Sequence, residues 1–274
     1  MKNILFPTDF SFNSDQAFPY ALDIAYLLGA ELVIFNSYRL PHSKSNVMTS
    51  LLDRMKDDSN NELERLKKEA LAKEKYKNLK ITITSRSGSF ISLIPNVADE
   101  FKSDLIVMGT KGANSLKEIF IGTNTLEVIQ STKIPILTVP EEAKNNKVDK
   151  IAMAVDLKKI KDPEQLRPLL EMAKICRASI EFVHVMHPDD QDSTQDRFNQ
   201  IMFLEKFASE TPSNIHIITE TDIIEGLSRY VASEKPDMLA MLSRKHTLFD
   251  RLFSQSLTNK LSFRSEIPLL VMDE

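Results

Sequence analysis

The sequence predicts an α/β protein made of two consecutive parallel-sheet domains, and three observations carry that prediction. Short apolar runs alternate with helical patterns along the chain, the arrangement of a parallel sheet with helices on both faces. The second half repeats the apolar landmarks of the first. A polar, charged stretch, Glu141-Glu142-Ala143-Lys144-Asn145-Asn146-Lys147, lies between them after Pro140, a composition suited to an exposed linker. The expected domains are residues 1–142 and 147–274, each a five-stranded parallel sheet flanked by helices.

The repeat is visible as a constant shift. Ser103-Asp104-Leu105-Ile106-Val107-Met108 corresponds to Pro236-Asp237-Met238-Leu239-Ala240-Met241, and Ile134-Pro135-Ile136-Leu137-Thr138-Val139 to Ile267-Pro268-Leu269-Leu270-Val271-Met272. Both pairs are 133 residues apart. Between them Ile119-Phe120 falls on Leu252-Phe253 and Thr123 on Ser256. Ile4–Asp9 likewise matches Ile151–Asp156, each a short apolar run ending in Asp. Four landmarks in one order point to internal duplication.

Within the first half, Asn3–Phe6 reads as a buried strand. Ser14–Leu28 reads as a helix, with Ala17, Tyr20, Ala21, Ile24 and Leu28 at helical spacing and Gly29 as its stop. Leu32–Phe35 is a strand, and Val47–Lys75 contains a long charged helix with Leu52, Met55, Leu63, Leu66 and Ala70 on one side. Its charges form a solvated face. Ile81–Thr84 is a strand, Phe90–Phe101 a helix, Leu105–Met108 a strand, Thr123–Gln130 the start of a helix and Ile136–Val139 the last strand. The second half follows the same plan with a shorter middle segment.

Composition narrows the function classes. With 274 residues and 42% hydrophobic content there is material for two cores. A net charge of −4 gives no electrostatic footprint for nucleic acid. Cys176 is the only cysteine, which excludes an intrachain disulfide and a cysteine metal cluster; its place on an apolar helix face reads as a structural thiol. No apolar run approaches the roughly 20 residues of a bilayer span, no targeting segment is visible, and a reducing cytoplasm is the expected compartment.

The chemistry lies in one glycine pattern. Gly109-Thr110-Lys111-Gly112 follows a strand, and nine residues later Gly122-Thr123-Asn124-Thr125 opens a helix. Ligands of open parallel sheets bind outside the carboxyl ends of the strands. Glycine admits a ribose or phosphate close to the backbone, and a helix N-terminus offers unpaired N–H groups to an anion. No Walker sequence, nucleophile elbow or hydride-cofactor fingerprint is present. His184 and His187 flank a strand end, where their spacing does not put two metal ligands on one face.

Asp104–Gly112, Gly122-Thr123 and Ile134–Val139 together resemble the universal stress protein family, whose ATP-binding members share the signature G-x2-G-x9-G-[ST] found here in full. The resemblance covers nearly the whole chain, twice. It implies two tandem Rossmann-like domains of the adenine nucleotide alpha hydrolase-like kind, and ATP as the ligand. By position, Gly109 and Gly112 would lie against ribose and phosphates, and Gly122, Thr123, Asn124 and Thr125 would cradle the phosphates. Pro7, Thr8 and Asp9 would line the pocket, with Asp9 near the ribose or a phosphate-bound cation such as Mg2+. Asn36 and Met108 would border the adenine.

The second half departs from the pattern. At the shift of 133, Gly109 becomes Leu242, Gly112 becomes Lys245 and Gly122 becomes Gln255, while Asp156 and Ser256 persist. One nucleotide per chain is therefore expected. The resemblance favours a regulatory binding module in a stress response; a slow ATPase or phosphotransferase, and a scaffold without nucleotide, are the alternatives. Since the family commonly dimerises through its last strand, Ile136–Val139 and Leu269–Met272 are expected to pair within the chain as a pseudo-dimer, with a homodimer as the alternative.

Overall fold

The structure is a computed structural model, and it describes residues 1–39, 48–110, 122–143, 147–157, 163–190, 194–243 and 267–273. The chain divides into two compact units, Met1–Glu141 and Glu142–Glu274. Among the described residues no helix is long and apolar enough to cross a membrane.

The first unit runs β1 (Asn3–Pro7), α1 (Phe12–Leu28), β2 (Glu31–Tyr38), α2 (Met48–Leu71), β3 (Ile81–Ser87), α3 (Phe90–Glu100), β4 (Leu105–Gly109), α4 (Thr123–Ser131) and β5 (Ile136–Val139). Its strands are parallel and ordered β3-β2-β1-β4-β5. β1, β4 and β5 are buried almost throughout, as strands covered by helices on both faces must be. That is why they read as continuous apolar runs.

The helices follow local rules with one systematic exception. Ser11 caps α1 by accepting from Ser14 N at 3.3 Å, and Gly29 ends it in the left-handed region at φ 60°. The helix therefore starts two residues before the Ser14 read from apolar spacing. α1 and α3 both run through an internal proline, Pro19 and Pro95. Each loses one ladder bond, and the buried faces built on Ala17, Ala21 and Leu22, and on Ile94, Val97 and Ala98, hold the helices together. α2, Met48–Leu71, lies within the Val47–Lys75 stretch read as containing a charged helix, and a separate turn follows at Glu74–Tyr76.

The second unit contains β6 (Lys150–Ala154), α5 (Arg167–Cys176), β7 (Ser179–Met186), α6 (Thr194–Phe207), β8 (Ser213–Thr219), α7 (Ile223–Glu234), β9 (Met238–Ser243) and β10 (Leu269–Asp273). Its parallel strands follow the order β10-β9-β6-β7-β8, which is the topology of the first unit strand for strand. Registers make the equivalence residue-specific. Pro7 pairs with Phe35 as Ala154 pairs with Val183. The amides that follow, of Thr8 and Val155, donate to the Phe35 and Val183 carbonyls at 2.8 and 2.9 Å. Thr8 thus corresponds to Val155, Phe35 to Val183 and Asn36 to His184.

Candidate functional site

In the first unit the strand order reverses between β1 and β4, which creates a crevice at their carboxyl ends. A cavity of about 210 Å³ occupies that place. The turn after β1 contributes Pro7, Thr8, Asp9 and, from the first turn of α1, Ser14. β4 contributes Met108 and Gly109, and α4 contributes Asn124 and Thr125. Ser37 and Phe90 complete the described wall. Asp9 is the one charged side chain among these lining residues.

Thr8 is the junction of the turn. Its hydroxyl lies 3.0 Å from Ser14 Oγ and accepts from Phe10 N at 3.0 Å. Its carbonyl accepts from Asn36 Nδ2 at 2.7 Å. Asp9 Oδ1 accepts from Ser11 N at 3.1 Å, so the carboxylate is tethered on one oxygen while the residue stays exposed. Phe10 between them adopts φ 57°, an uncommon conformation for a bulky residue and a mark of a turn held by its surroundings.

Several of the expected site residues have structural duties that their sequence pattern did not reveal. Asn36 is 7% exposed and does not line the cavity among the described residues. Its amide is spent on the Thr8 carbonyl, and its Oδ1 accepts from Ser59 Oγ at 2.7 Å. Ser37, its neighbour on β2, takes the lining position because successive strand residues face opposite sides. Thr125 is 2% exposed, and its hydroxyl donates to the Gly109 and Thr110 carbonyls at 3.2 and 3.3 Å. It ties α4 to the end of β4 and has no proton left for a ligand.

The glycines divide in the same way. A Cβ on Gly109 would meet Asn13 Oδ1 at 2.2 Å and the Asn13 carbonyl at 3.0 Å. The space this glycine leaves is filled by the first turn of α1. Gly122 is the N-cap of α4 with φ −69° and ψ 159°, ordinary extended backbone open to any residue, and its N–H donates to Thr110 O at 2.6 Å. Having no side chain, it leaves the first-turn amides of α4, at Thr123, Asn124 and Thr125, without a side-chain cap. Thr123 is exposed and is not a lining residue. Gly112, with Lys111, lies outside the described residues.

Ser14, Ser37 and Phe90 escaped the sequence reading. Ser14 reads only as the start of a helix, not as a wall residue. Phe90 follows a Gly-Ser pair at the end of β3 and opens α3, whose N-cap Ser89 makes no side-chain cap bond.

The second unit arranges the same positions differently. His184 takes the place of Asn36: it is 4% exposed and its Nδ1 lies 3.2 Å from the Val155 carbonyl. His187 is exposed and accepts from Asp189 N at 3.2 Å. Among the described residues no group of three His, Cys, Asp or Glu side chains is placed to hold a metal ion. Leu242 stands on β9 where β4 has Gly109; Lys245, Gln255 and Ser256 lie outside the described residues. At the start of α7, Asp222 accepts from Ile224 N at 2.8 Å and Glu225 N at 3.1 Å, whereas the equivalent Ser89 leaves α3 uncapped. Burial, with Asp149 adding to it, pushes the Cys176 thiol up to about 11, so it stays protonated and unreactive at neutral pH.

Comparison with known proteins follows the same division. A sequence model of the universal stress protein family matches residues 1–140 and again residues 147–273. Two universal stress proteins of Methanocaldococcus jannaschii each align with about half of the chain. One is 32% identical over 149 residues, covering 52% of this chain and 84% of the relative. The other is 27% identical over 156 residues, covering 50% and 94%. The crystal structure of a universal stress protein from Archaeoglobus fulgidus DSM 4304 superposes over 99% of this chain and 96% of its own, with a TM-score of 0.71 at 18% identity, a likeness of fold.

Proposed function

The chain belongs to the universal stress protein family, and on that premise we propose that its first half binds one adenine nucleotide, ATP, as a regulatory module of a stress response. The observation that supports this most is the cavity at the β1/β4 crevice, whose wall contains Pro7, Thr8, Asp9, Met108, Gly109, Asn124 and Thr125. Met108, Gly109, Asn124 and Thr125 belong to the glycine motif and the strand before it, and Pro7, Thr8 and Asp9 are the pocket residues the family resemblance implies.

In this reading the phosphates meet the open first turn of α4. A helix N-terminus supplies N–H donors and a positive dipole end, and Gly122 keeps side chains out of the approach. Asn124 adds a side-chain donor and Thr123 its uncapped backbone amide, while Thr125 fixes the helix. Met108 borders the base. Gly112 keeps the role its motif position implies. Asp9 fits an Mg2+ ion, which is held through one or two carboxylates plus substrate phosphates and retains several waters. Binding without rapid turnover is favoured because Asp9 is the one ionisable side chain among the described lining residues.

The second half holds no nucleotide in this manner, since Leu242, Lys245 and Gln255 replace the glycines. The two halves associate through their last strands, a reading supported by the matching apolar sequences Ile136–Val139 and Leu269–Met272; association of the separately expressed halves on mixing tests it. The single cysteine suits a reducing cytoplasm.

Calorimetric titration with ATP tests the main reading. Saturation near one equivalent is expected, and Gly122→Val should abolish it. The extended backbone at residue 122 accepts a β-branched side chain, so the variant should fold. Unchanged ATP affinity in folded Gly122→Val, or two tight equivalents in the native chain, would overturn the assignment.

A further inference from the structure

The cavity has one aromatic wall, and its orientation is fixed from behind. Phe90, the first residue of α3, lines the cavity and is half-buried. Its ring stacks on Phe35 at 10° between planes and 6.4 Å between centroids. Phe35 lies in the middle of β2 and is fully buried. A ring pinned on a buried neighbour keeps one plane, so its remaining exposed face is a preorganised platform.

From this we infer that Phe90 stacks on the purine ring of the bound nucleotide, so that the site holds the base by its flat face. The inference rests on the nucleotide reading above and adds to it a residue that no motif marks. Met108 is 6% exposed and belongs to the same wall set, giving the base end a second apolar surface. Apart from Ser37, the polar groups of the wall, Thr8, Asp9, Ser14, Asn124 and Thr125, come from the β1–α1 turn, the first turn of α1 and α4, where sugar and phosphates would lie. Ser37 is the one polar side chain contributed by β2.

The second half supports the division by contrast. At the equivalent positions Phe35 is replaced by Val183 and Phe90 by Ile223. The aromatic pair therefore occurs in the half that has the glycine motif and is missing as a unit from the half that lost it. A pair kept only for core packing has no reason to follow the motif.

The chain contains no tryptophan, so Phe90→Trp introduces a single indole at the platform. ATP should quench its emission saturably, while inorganic tripolyphosphate, which has the phosphates and no base, should leave it unchanged. Phe90→Leu keeps apolar bulk and removes the π-face; it should weaken ATP binding by about 5- to 150-fold, the range of base–aromatic stacking, with the melting temperature little changed. Native protein that binds ATP, together with Phe90→Leu of equal affinity or an indole indifferent to bound ATP, would overturn the platform and leave the nucleotide reading standing. Native protein that binds no adenine nucleotide would overturn both.

Discussion

The two halves of this chain keep one topology and differ in how they finish the carboxyl ends of their strands. In the first half two of the helices that face the crevice begin on residues without a side-chain cap, Ser89 at α3 and Gly122 at α4, while Ser11 caps the third, α1. In the second half α7 begins on Asp222, whose carboxylate takes two backbone N–H groups. The first arrangement leaves donors for something outside the protein. The second satisfies them internally and puts a negative charge where an anion would otherwise be received. The difference teaches that the core plan and the binding plan are separable. The order and direction of the strands are kept, while residues at the rim differ in size, charge and capping.

The halves also differ inside. Where β2 has Val33, β7 has Glu181, which is 5% exposed. Its carboxylate accepts from His216 Nε2 at 2.7 Å, Ser179 Oγ at 3.1 Å and Asn214 Nδ2 at 3.2 Å. His184 Nε2, Gln165 Oε1, Gln200 Oε1 and Tyr230 Oη are buried with no hydrogen-bond partner among the described residues. Such groups lower stability without contributing affinity for anything shown. Among the described residues the second half thus buries a carboxylate and an imidazole, whereas the buried polar side chains of the first are hydroxyls and amides.

The comparison breaks most sharply at Gly109. If the glycine serves α1 packing, a side chain there must displace Asn13, whose oxygens lie 2.2 and 3.0 Å from the added Cβ. Gly109→Leu, which installs the second half's residue, should cost about 2–3 kcal/mol by overpacking. Asn13→Ala should restore part of that, because the side-chain clash goes while the backbone contact stays. Urea melts of the two single variants and the double variant give the coupling. Additive costs would show that Gly109 and Asn13 do not constrain each other. Loss of ATP binding in Gly109→Leu alone would not separate ligand contact from misplacement of α1, which is why Gly122 is the cleaner probe of the ligand.

How far the sequence reaches is clear from these residues. The strands and their order of appearance were legible because doubly covered strands are apolar along their whole length. The motif pointed to the strand ends, where the cavity lies, because topology puts ligands there. What it could not supply was the duty of each residue. Asn36 and Ser37 are adjacent, and only the parity of β2 decides which one faces the cavity. Gly109 looks the same in sequence whether it makes room for a phosphate or for Asn13. Phe90 belongs to no pattern, because its role comes from Phe35, more than fifty residues away in the chain.

A second prediction sharpens the contrast of interiors. Burial alone pushes the Glu181 carboxyl up, but the hydrogen bonds from His216, Asn214 and Ser179 outweigh it and hold the group below the ordinary carboxylate value of 4.5. Its stabilisation is therefore fully present above the unfolded value and is lost as pH falls through the lower folded one. His216→Ala should destabilise the second half by about 1–3 kcal/mol at neutral pH by leaving the carboxylate short of a donor, with the deficit shrinking at acid pH as the carboxyl takes up a proton. Hydrogen-exchange protection of β7 and β8, followed against pH, reads this out. A deficit independent of pH would mean that His216 acts by packing on Tyr230, whose ring lies 5.1 Å away, and not through Glu181.

The smallest expected effect is the most direct test of the separation between core and rim. Ser89→Asp gives α3 the cap that α7 has in Asp222. The new carboxylate can accept from the amides of the first turn, as Asp222 accepts from Ile224 N and Glu225 N, and it complements the helix dipole. A gain of about 0.5–1 kcal/mol in stability follows. The same carboxylate sits one residue before Phe90 at the wall of the cavity, so it closes off donors and adds a negative charge near an anionic ligand. ATP affinity should therefore fall while thermal stability rises, in one substitution. The reverse change, Asp222→Ser, should destabilise the second half by about 1 kcal/mol and confer no ATP binding, because Leu242, Lys245 and Gln255 still stand at the positions of the three glycines. Differential scanning calorimetry with and without ATP measures both terms on one sample. If Ser89→Asp stabilised the protein and left ATP affinity unchanged, the open N-terminus of α3 would have no part in the binding plan, and the contrast between the halves would reduce to α4 and its glycine.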